Sequence, residues 1–233
     1  HTKLSHQEAI QFLPLPENKI QLSYLGTAVP SPSDEQQCVD FFKDTALASN
    51  KAKFKIGLFG RIEHGKGQHV LINAMKLLQT QDIDFAVGLI GHVMDEAYFS
   101  GLKQDLYSTG LDKQLHYFGF LDNPVRFMNC FDVIVLTTYA ETFGLVVIEA
   151  MHEGVVVVAT NAGGVPEIIS HDKDGLLFEP GNAQELAHAL VSLYNDPDRC
   201  LRLAQAGKAT AKNRFSEQGH FTELKQILFN ATK

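Results

Sequence analysis

Phe54-Lys55-Ile56-Gly57-Leu58-Phe59 runs straight into Gly60-Arg61-Ile62-Glu63-His64-Gly65-Lys66-Gly67. Val70, Leu71, Ala74, Leu77 and Leu78 then follow at helical spacing. An apolar run of strand length, a glycine-rich turn and an amphipathic stretch make one strand–turn–helix unit. The run is apolar without strict alternation. A strand of that kind is buried on both faces, as in a parallel sheet covered by helices.

The same unit recurs outward from there. Phe85–Ile90 reads as a second strand and residues 95–107 as its helix. Residues 115–118 are a short third strand, followed by a short helix over 123–130 with Asp122 as its N-cap. Val133–Leu136, residues 155–159 and Leu176–Phe178 complete the strands, with a helix over 145–152. Helices over 182–194, 197–213 and 216–228 close the chain, and Asp196-Pro197 marks the break between the first two. Helices between parallel strands impose right-handed crossovers. The expected class is α/β, a doubly wound parallel sheet with helices on both faces.

Residues 1–50 read differently. They carry Pro14, Pro16, Pro30 and Pro32, one strand candidate over 19–25, and a helix over 35–47 opened by Ser31-Pro32-Ser33-Asp34. Residues 48–53 read as a polar linker. This region is too poor in apolar periodicity for a core of its own. The chain begins at His1, with no methionine and no signal-peptide pattern, and reads as a piece of a longer or processed protein.

Composition narrows the function classes. Of 233 residues 45% are apolar, enough for a substantial core, so a disordered or fibrous chain is excluded. The net charge of −7 argues against tracking a nucleic-acid backbone, while a single anionic ligand needs only one or two local cations. Cys38, Cys130 and Cys200 are odd in number and show no CxxC spacing. The expectation is no disulfide framework and a reducing, cytoplasmic compartment.

Four segments are placed to do chemistry. Gly60–Gly67 is either an anion site, where glycines let backbone N–H groups approach and Arg61 and Lys66 add cations, or a plain strand-to-helix turn with solvated charges. The spacing nearly matches a P-loop, but Gly67 stands where a Mg²⁺-binding hydroxyl is required, which disfavours an ATPase. Glu141-Thr142-Phe143-Gly144-Leu145-Val146-Val147-Ile148-Glu149 follows a strand at its carboxyl end, where open α/β sheets bind ligands. The amides of Phe143, Gly144 and Leu145 then head a helix and face an anion. Glu141 and Glu149 beside an anion site make sense if the ligand also carries hydroxyls, since a carboxylate accepts two hydrogen bonds from a ribose or hexose. Read singly, each glutamate is an ordinary helix residue. Asn161-Ala162-Gly163-Gly164-Val165-Pro166-Glu167 is either a ligand-approaching turn or turn chemistry alone. Phe118-Gly119-Phe120-Leu121-Asp122 is either a nucleobase-facing loop or a plain connection. Asp82-Ile83-Asp84 and Asp172-Lys173-Asp174 spell D-x-D, but the first precedes a strand, the second lies in an Asp-Gly turn, and both read as structural. The ten histidines have no zinc spacing, and no GxGxxG follows the first strand.

In this order, over about residues 54–215, the segments resemble the C-terminal domain of GT-B-fold retaining glycosyltransferases of family 4. Gly60-Arg61 with Lys66-Gly67 resembles the family's phosphate-clamping turn, Glu141 to Glu149 its E-x7-E motif, and Gly163 to Glu167 its GGxPE loop. Two departures stand: Gly91 is followed by His92-Val93-Met94 rather than a second glycine, and no proline opens the strand at Val155.

The resemblance implies a Rossmann-like half of a GT-B fold. It implies that Arg61, Lys66 and the amides of Phe143, Gly144 and Leu145 bind the donor diphosphate. Glu141 serves the transferred sugar as the catalytic residue, and Glu149 the ribose. Gly60, Phe120 and Leu121 complete the nucleotide-sugar site. No metal or cofactor is required, the substrate being a nucleoside diphosphate sugar of UDP or GDP type. Residues 1–50 are then the tail of an N-terminal acceptor domain plus connector, 51–215 the nucleotide-sugar-binding domain, and 216–233 a helix packing back toward the N-terminal domain. Partners are that domain and a membrane-surface glycolipid or polysaccharide-precursor acceptor, at the inner face of the membrane, with no nucleic acid. Without the acceptor domain the chain is expected to bind nucleotide weakly and transfer no sugar. A GT-B nucleotide-sugar epimerase and a non-catalytic nucleotide-binding module are the alternatives.

Overall fold

The computed structural model describes residues 2–16, 19–28, 31–48 and 54–231. Six parallel strands form one sheet in the order β3-β2-β1-β4-β5-β6. They are β1 (Phe54–Phe59), β2 (Phe85–Ile90), β3 (Leu115–Gly119), β4 (Val133–Leu136), β5 (Val156–Thr160) and β6 (Leu176–Phe178). The helices are α1 (Lys3–Phe12), α2 (Glu35–Phe42), α3 (Gln68–Gln79), α4 (Glu96–Thr109), α5 (Leu145–Glu153), α6 (Val165–Ile168), α7 (Ala183–Asn195), α8 (Pro197–Arg214) and α9 (Glu217–Ala231). The doubly wound α/β reading therefore holds, and each strand read from Phe54 onward is present.

Alternation along each strand feeds two cores. Ile56, Leu58, Val87, Leu89, Val133, Val135, Val156 and Val158 face α3, α4 and α7. Phe59, Ala86, Ile90, Ile134, Leu136, Val157 and Ala159 face α5 and the aromatic cluster around Phe131. A fully buried aliphatic side chain is worth roughly 1.5–3 kcal/mol, so both layers, and not hydrogen bonding alone, hold the sheet between its helices. The winding reverses between β1 and β4. Their pairing is brief, Ile56 with Val133 and Gly57 with Ile134, whereas β1 and β2 register over six residues. The crevice at this reversal opens at the carboxyl ends of the strands, where ligands of such sheets bind.

The N-terminal region departs from expectation. Residues 19–25 form no strand among the described residues. Tyr24 instead stacks on Phe143 and meets Phe215 edge-on, and Thr27 makes only an isolated bridge to Ser216. Strand propensity needs a free sheet edge, and the ring contacts take this segment to a helical layer instead. The unforeseen α1 is capped by Thr2, whose side chain accepts from Ser5 N. The helix over 35–47 stops at Phe42, because Thr45 Oγ1 takes the Phe42 carbonyl and Asp44 turns to φ +64°. Asp34 and Gln37 make its capping box. The short helix expected over 123–130 is a 3₁₀ segment, Val125–Cys130, with Pro124 rather than Asp122 at its N-cap. The polar linker falls, from residue 49 on, outside the described residues.

Cysteine usage is corrected outright. Cys38 of α2 is bonded to Cys130 at the end of the 3₁₀ segment, with Cα atoms 5.3 Å apart at a sequence separation of 92. The partners meet because Phe41 stacks on both Phe118 and Phe127 and seats α2 there. No short spacing encodes that. The cysteine pattern consequently says nothing for a reducing compartment. No helix among the described residues is long and apolar enough to cross a membrane.

Candidate functional site

Loops from five strands meet at the carboxyl edge. The β1 turn carries Arg61 and Lys66. Lys66 lies at the end of a one-turn 3₁₀ helix, His64–Lys66. Its Nζ donates to Glu141 Oε2 at 2.9 Å, and both side chains are about four-fifths buried, at 23% and 18% exposure. The sequence separates these residues by 75 positions, so nothing in it announces the pair. Arg61 reaches Glu63 at 3.0 Å and is largely exposed. An exposed pair of this kind is worth at most about 1 kcal/mol, so an incoming anion displaces Glu63 at little cost.

Gly144 begins α5 in the left-handed region at φ +103°, with no side-chain cap. Among the described residues the N–H groups of Phe143, Gly144 and Leu145 meet no acceptor. Uncapped amides at a helix N-terminus form an anion site. They line a cleft of about 310 Å³ together with Lys66 and Glu141. Phe143 is buried under Tyr24 and Phe215, whereas Leu145 is 40% exposed at the cleft.

A second cavity of about 200 Å³ adjoins the first through Val146, which lines both. Glu149 lies at its wall with Gly60, Arg61, Leu121 and Phe120. His92, Pro124 and Met128, not singled out in the sequence, line it too. The only hint of His92 was the missing second glycine after Gly91. Phe120 is 67% exposed, so its face is open. The walls are mainly apolar and the acid is at one end, a shape suited to a flat heterocycle joined to a hydroxylated ring.

Burial pushes the Glu149 carboxyl above its usual range. A raised folded-state pKa means that stability is fully present below the unfolded pKa and is lost as pH rises through the folded value. Glu149→Gln has no such ionisation to suppress. It is expected to be more stable than the wild type at pH 8 and equal to it at pH 4. Urea unfolding at both pH values checks this, and equal midpoints at pH 8 contradict it.

The loop after β5 presses on the same site. Gly164 N donates to the Glu141 carbonyl at 3.0 Å, and Gly163 takes φ +56° directly beneath that carbonyl. Glu167 leads away from the cleft. Its carboxylate accepts the Lys3 N–H at 2.9 and 2.8 Å and the Tyr24 hydroxyl at 2.9 Å, and its carbonyl accepts Arg214 Nη2 at 2.8 Å. Burial and the Glu167 bond push the Tyr24 phenol up to about 12. Of the D-x-D segments, Asp172 pairs with Arg199 at 2.7 Å and Asp82 occupies a turn at φ +54°.

The edge thus offers a cation, free amides and a carboxylate in one cleft, next to an apolar slot with a second carboxylate. The family model described as glycosyl transferases group 1 matches residues 40–210. The chain is 35% identical over 149 residues to a D-inositol 3-phosphate glycosyltransferase of Arthrobacter sp. (strain FB24), covering 62% of this chain and 35% of that protein. It is 29% identical over 178 residues to the lipopolysaccharide core biosynthesis mannosyltransferase LpsB of Rhizobium meliloti, covering 74% and 51%. HepE of Anabaena, solved in complex with UDP and glucose, superposes with a TM-score of 0.88 at 26% identity, over 97% of this chain and 61% of that one. The C-terminal domain of a glycosyl transferase group 1 family protein (LpcC) from Francisella tularensis superposes at 0.72 with 31% identity, over 83% of this chain and 99% of that one. The chain spans about a third to a half of the length of the curated relatives it matches.

Proposed function

The chain belongs to the glycosyl transferases group 1 family, and from that premise we propose that it is the donor-binding C-terminal half of a retaining family 4 glycosyltransferase. The observation that carries this reading is the convergence of Lys66, Glu141 and the free amides of Phe143, Gly144 and Leu145 in one cleft, with Glu149 in the adjoining slot. The donor is a nucleoside diphosphate sugar, with its base between Phe120, Leu121 and Gly60 and its ribose hydroxyls on Glu149. Its diphosphate lies against Arg61, Lys66 and the head of α5.

In the reaction the bond from the anomeric carbon to the diphosphate breaks, the acceptor oxygen bonds that carbon on the same face of the sugar, and the acceptor's hydroxyl proton passes to the departing diphosphate. Charge accumulates on the departing diphosphate. Preformed cations and amides stabilise that charge without reorganising, so the residues of this site supply the leaving-group stabilisation themselves. Glu141, held by Lys66, faces the transferred sugar. A glycolipid or polysaccharide precursor is the acceptor, in keeping with the role of LpsB in lipopolysaccharide core biosynthesis. Residues 1–50 are the end of an acceptor domain and its connector, 51–215 the donor domain, and 216–233 the helix that returns toward the acceptor domain.

Titration with UDP, GDP and 2′-deoxy-UDP tests the assignment. One diphosphate should bind, and removal of the 2′-hydroxyl should weaken UDP about tenfold in the wild type but not in Glu149→Ala, as expected for a charge-assisted hydrogen bond. If Glu149→Ala loses the same factor for both nucleotides, the ribose role is wrong. If neither diphosphate binds, the donor-site reading is wrong.

A further inference from the structure

We propose that His69 is a positioning residue for the diphosphate clamp, locking the turn that carries Lys66 onto the loop that carries Glu141 through the hydroxyl of Tyr139. The proposal rests on the donor-site reading above. An isolated 3₁₀ turn has poor hydrogen-bond geometry, and the Glu63 side chain does not cap this one. The turn is therefore held from outside. On its inner side Thr137 Oγ1 donates to the Lys66 carbonyl at 2.8 Å. Tyr139 N donates to the Gly65 carbonyl at 3.1 Å, and the Thr138 hydroxyl, 3.2 Å from that carbonyl, lies nearer the Ala140 carbonyl at 2.8 Å. Gly67 closes the turn at φ +67°, and a Cβ there would collide with the Thr137 carbonyl.

The outer side is held by rings. His69, in the first turn of α3, bonds the Tyr98 hydroxyl through Nδ1 at 2.8 Å and the Tyr139 hydroxyl through Nε2 at 2.9 Å. His64, inside the turn itself, stacks on His69 with centroids 5.0 Å apart. The backbone N–H of His69 also donates to the Tyr98 oxygen at 3.1 Å. With the ring proton on Nε2 the imidazole donates to Tyr139, and with it on Nδ1 the Tyr139 O–H donates to Nε2, so the contact stands in either neutral tautomer. Burial and the neighbouring His64 hold His69 below its usual titration range, so the neutral tautomer persists at pH 7. Tyr139 stands two residues before Glu141, whose carboxylate takes Lys66. A path of contacts therefore runs from α4 through His69 to the two segments that carry Lys66 and Glu141.

The test compares two ligands on the whole chain: the better-binding of UDP and GDP, and the matching nucleoside. Tyr139→Phe and His69→Leu are expected to weaken the diphosphate about tenfold, the size of one lost hydrogen bond, and to leave the nucleoside unchanged. His69→Gln, whose amide still reaches Tyr139, should restore most of the loss. Unchanged diphosphate affinity in both variants overturns the proposal, and so does an equal loss for diphosphate and nucleoside, which marks the rings as packing only. A wild type that binds the diphosphate no better than the nucleoside overturns the donor-site reading itself, and the clasp with it.

Discussion

Replacing Arg61 and Lys66 together with alanine is expected to lower the affinity for a nucleoside diphosphate by about a hundredfold or more. Each charge-assisted hydrogen bond to phosphate is worth about 1.5–3 kcal/mol, and about 1.4 kcal/mol is a factor of ten. Arg61 is more than half exposed and contributes at the low end, whereas Lys66 is largely buried and contributes at the high end. The Lys66 substitution has a second effect. It leaves Glu141 without its cation in the same cleft, so the diphosphate meets an unbalanced carboxylate. Lys66→Ala alone should therefore exceed Arg61→Ala alone, and Lys66→Ala with Glu141→Gln should recover part of the loss. Calorimetry on the four variants decides this. Equal affinity in the wild type and the double alanine variant removes both residues from the phosphate site.

Gly163→Ala is expected to destabilise the chain by about 2–4 kcal/mol and to disrupt the sugar end of the cleft. A left-handed backbone costs a residue with a side chain roughly 1–2 kcal/mol, and overpacking adds typically 1–3 kcal/mol. Both apply here, because the added Cβ would overlap the Glu141 carbonyl, which is backbone and has no rotamer to change. The loop must lift, and the Gly164 N–H leaves the same carbonyl. Affinity for the nucleotide sugar should fall more than affinity for the bare nucleotide, since the loop touches the Glu141 end and not the Glu149 slot. Urea denaturation and paired titrations measure the two effects. An unchanged midpoint with unchanged sugar-nucleotide affinity rejects the account.

Much of this was legible in the sequence for a simple reason. The strands β1 to β6 are short apolar runs with turn residues at their carboxyl ends, and the candidate site is those turns. Gly60, Lys66 and Gly144 were visible because an anion-approaching turn restricts residue choice locally. What was not legible depends on partners far along the chain. The Lys66–Glu141 pair, the Cys38–Cys130 bond and the His69–Tyr139 contact each join segments tens of residues apart, and no local pattern marks them. Residues 19–25 failed for the same reason in reverse. Their composition fits a strand, but Tyr24 finds Phe143 and Phe215 before any sheet edge.

The short β1–β4 pairing has a mechanical meaning. Two register pairs join the halves of the sheet, against six between β1 and β2 and four between β4 and β5. The candidate cleft straddles that seam, with the Lys66 turn on one bank and the Thr137 to Leu145 loop on the other. A diphosphate held from both banks is a staple across the weakest line of the sheet. It resists opening there by an amount that grows with the logarithm of its concentration above Kd. Protection of amides by the ligand should therefore gather along the two banks, at Gly65 to Gly67 and Thr137 to Tyr139, and thin out toward β3 and β6.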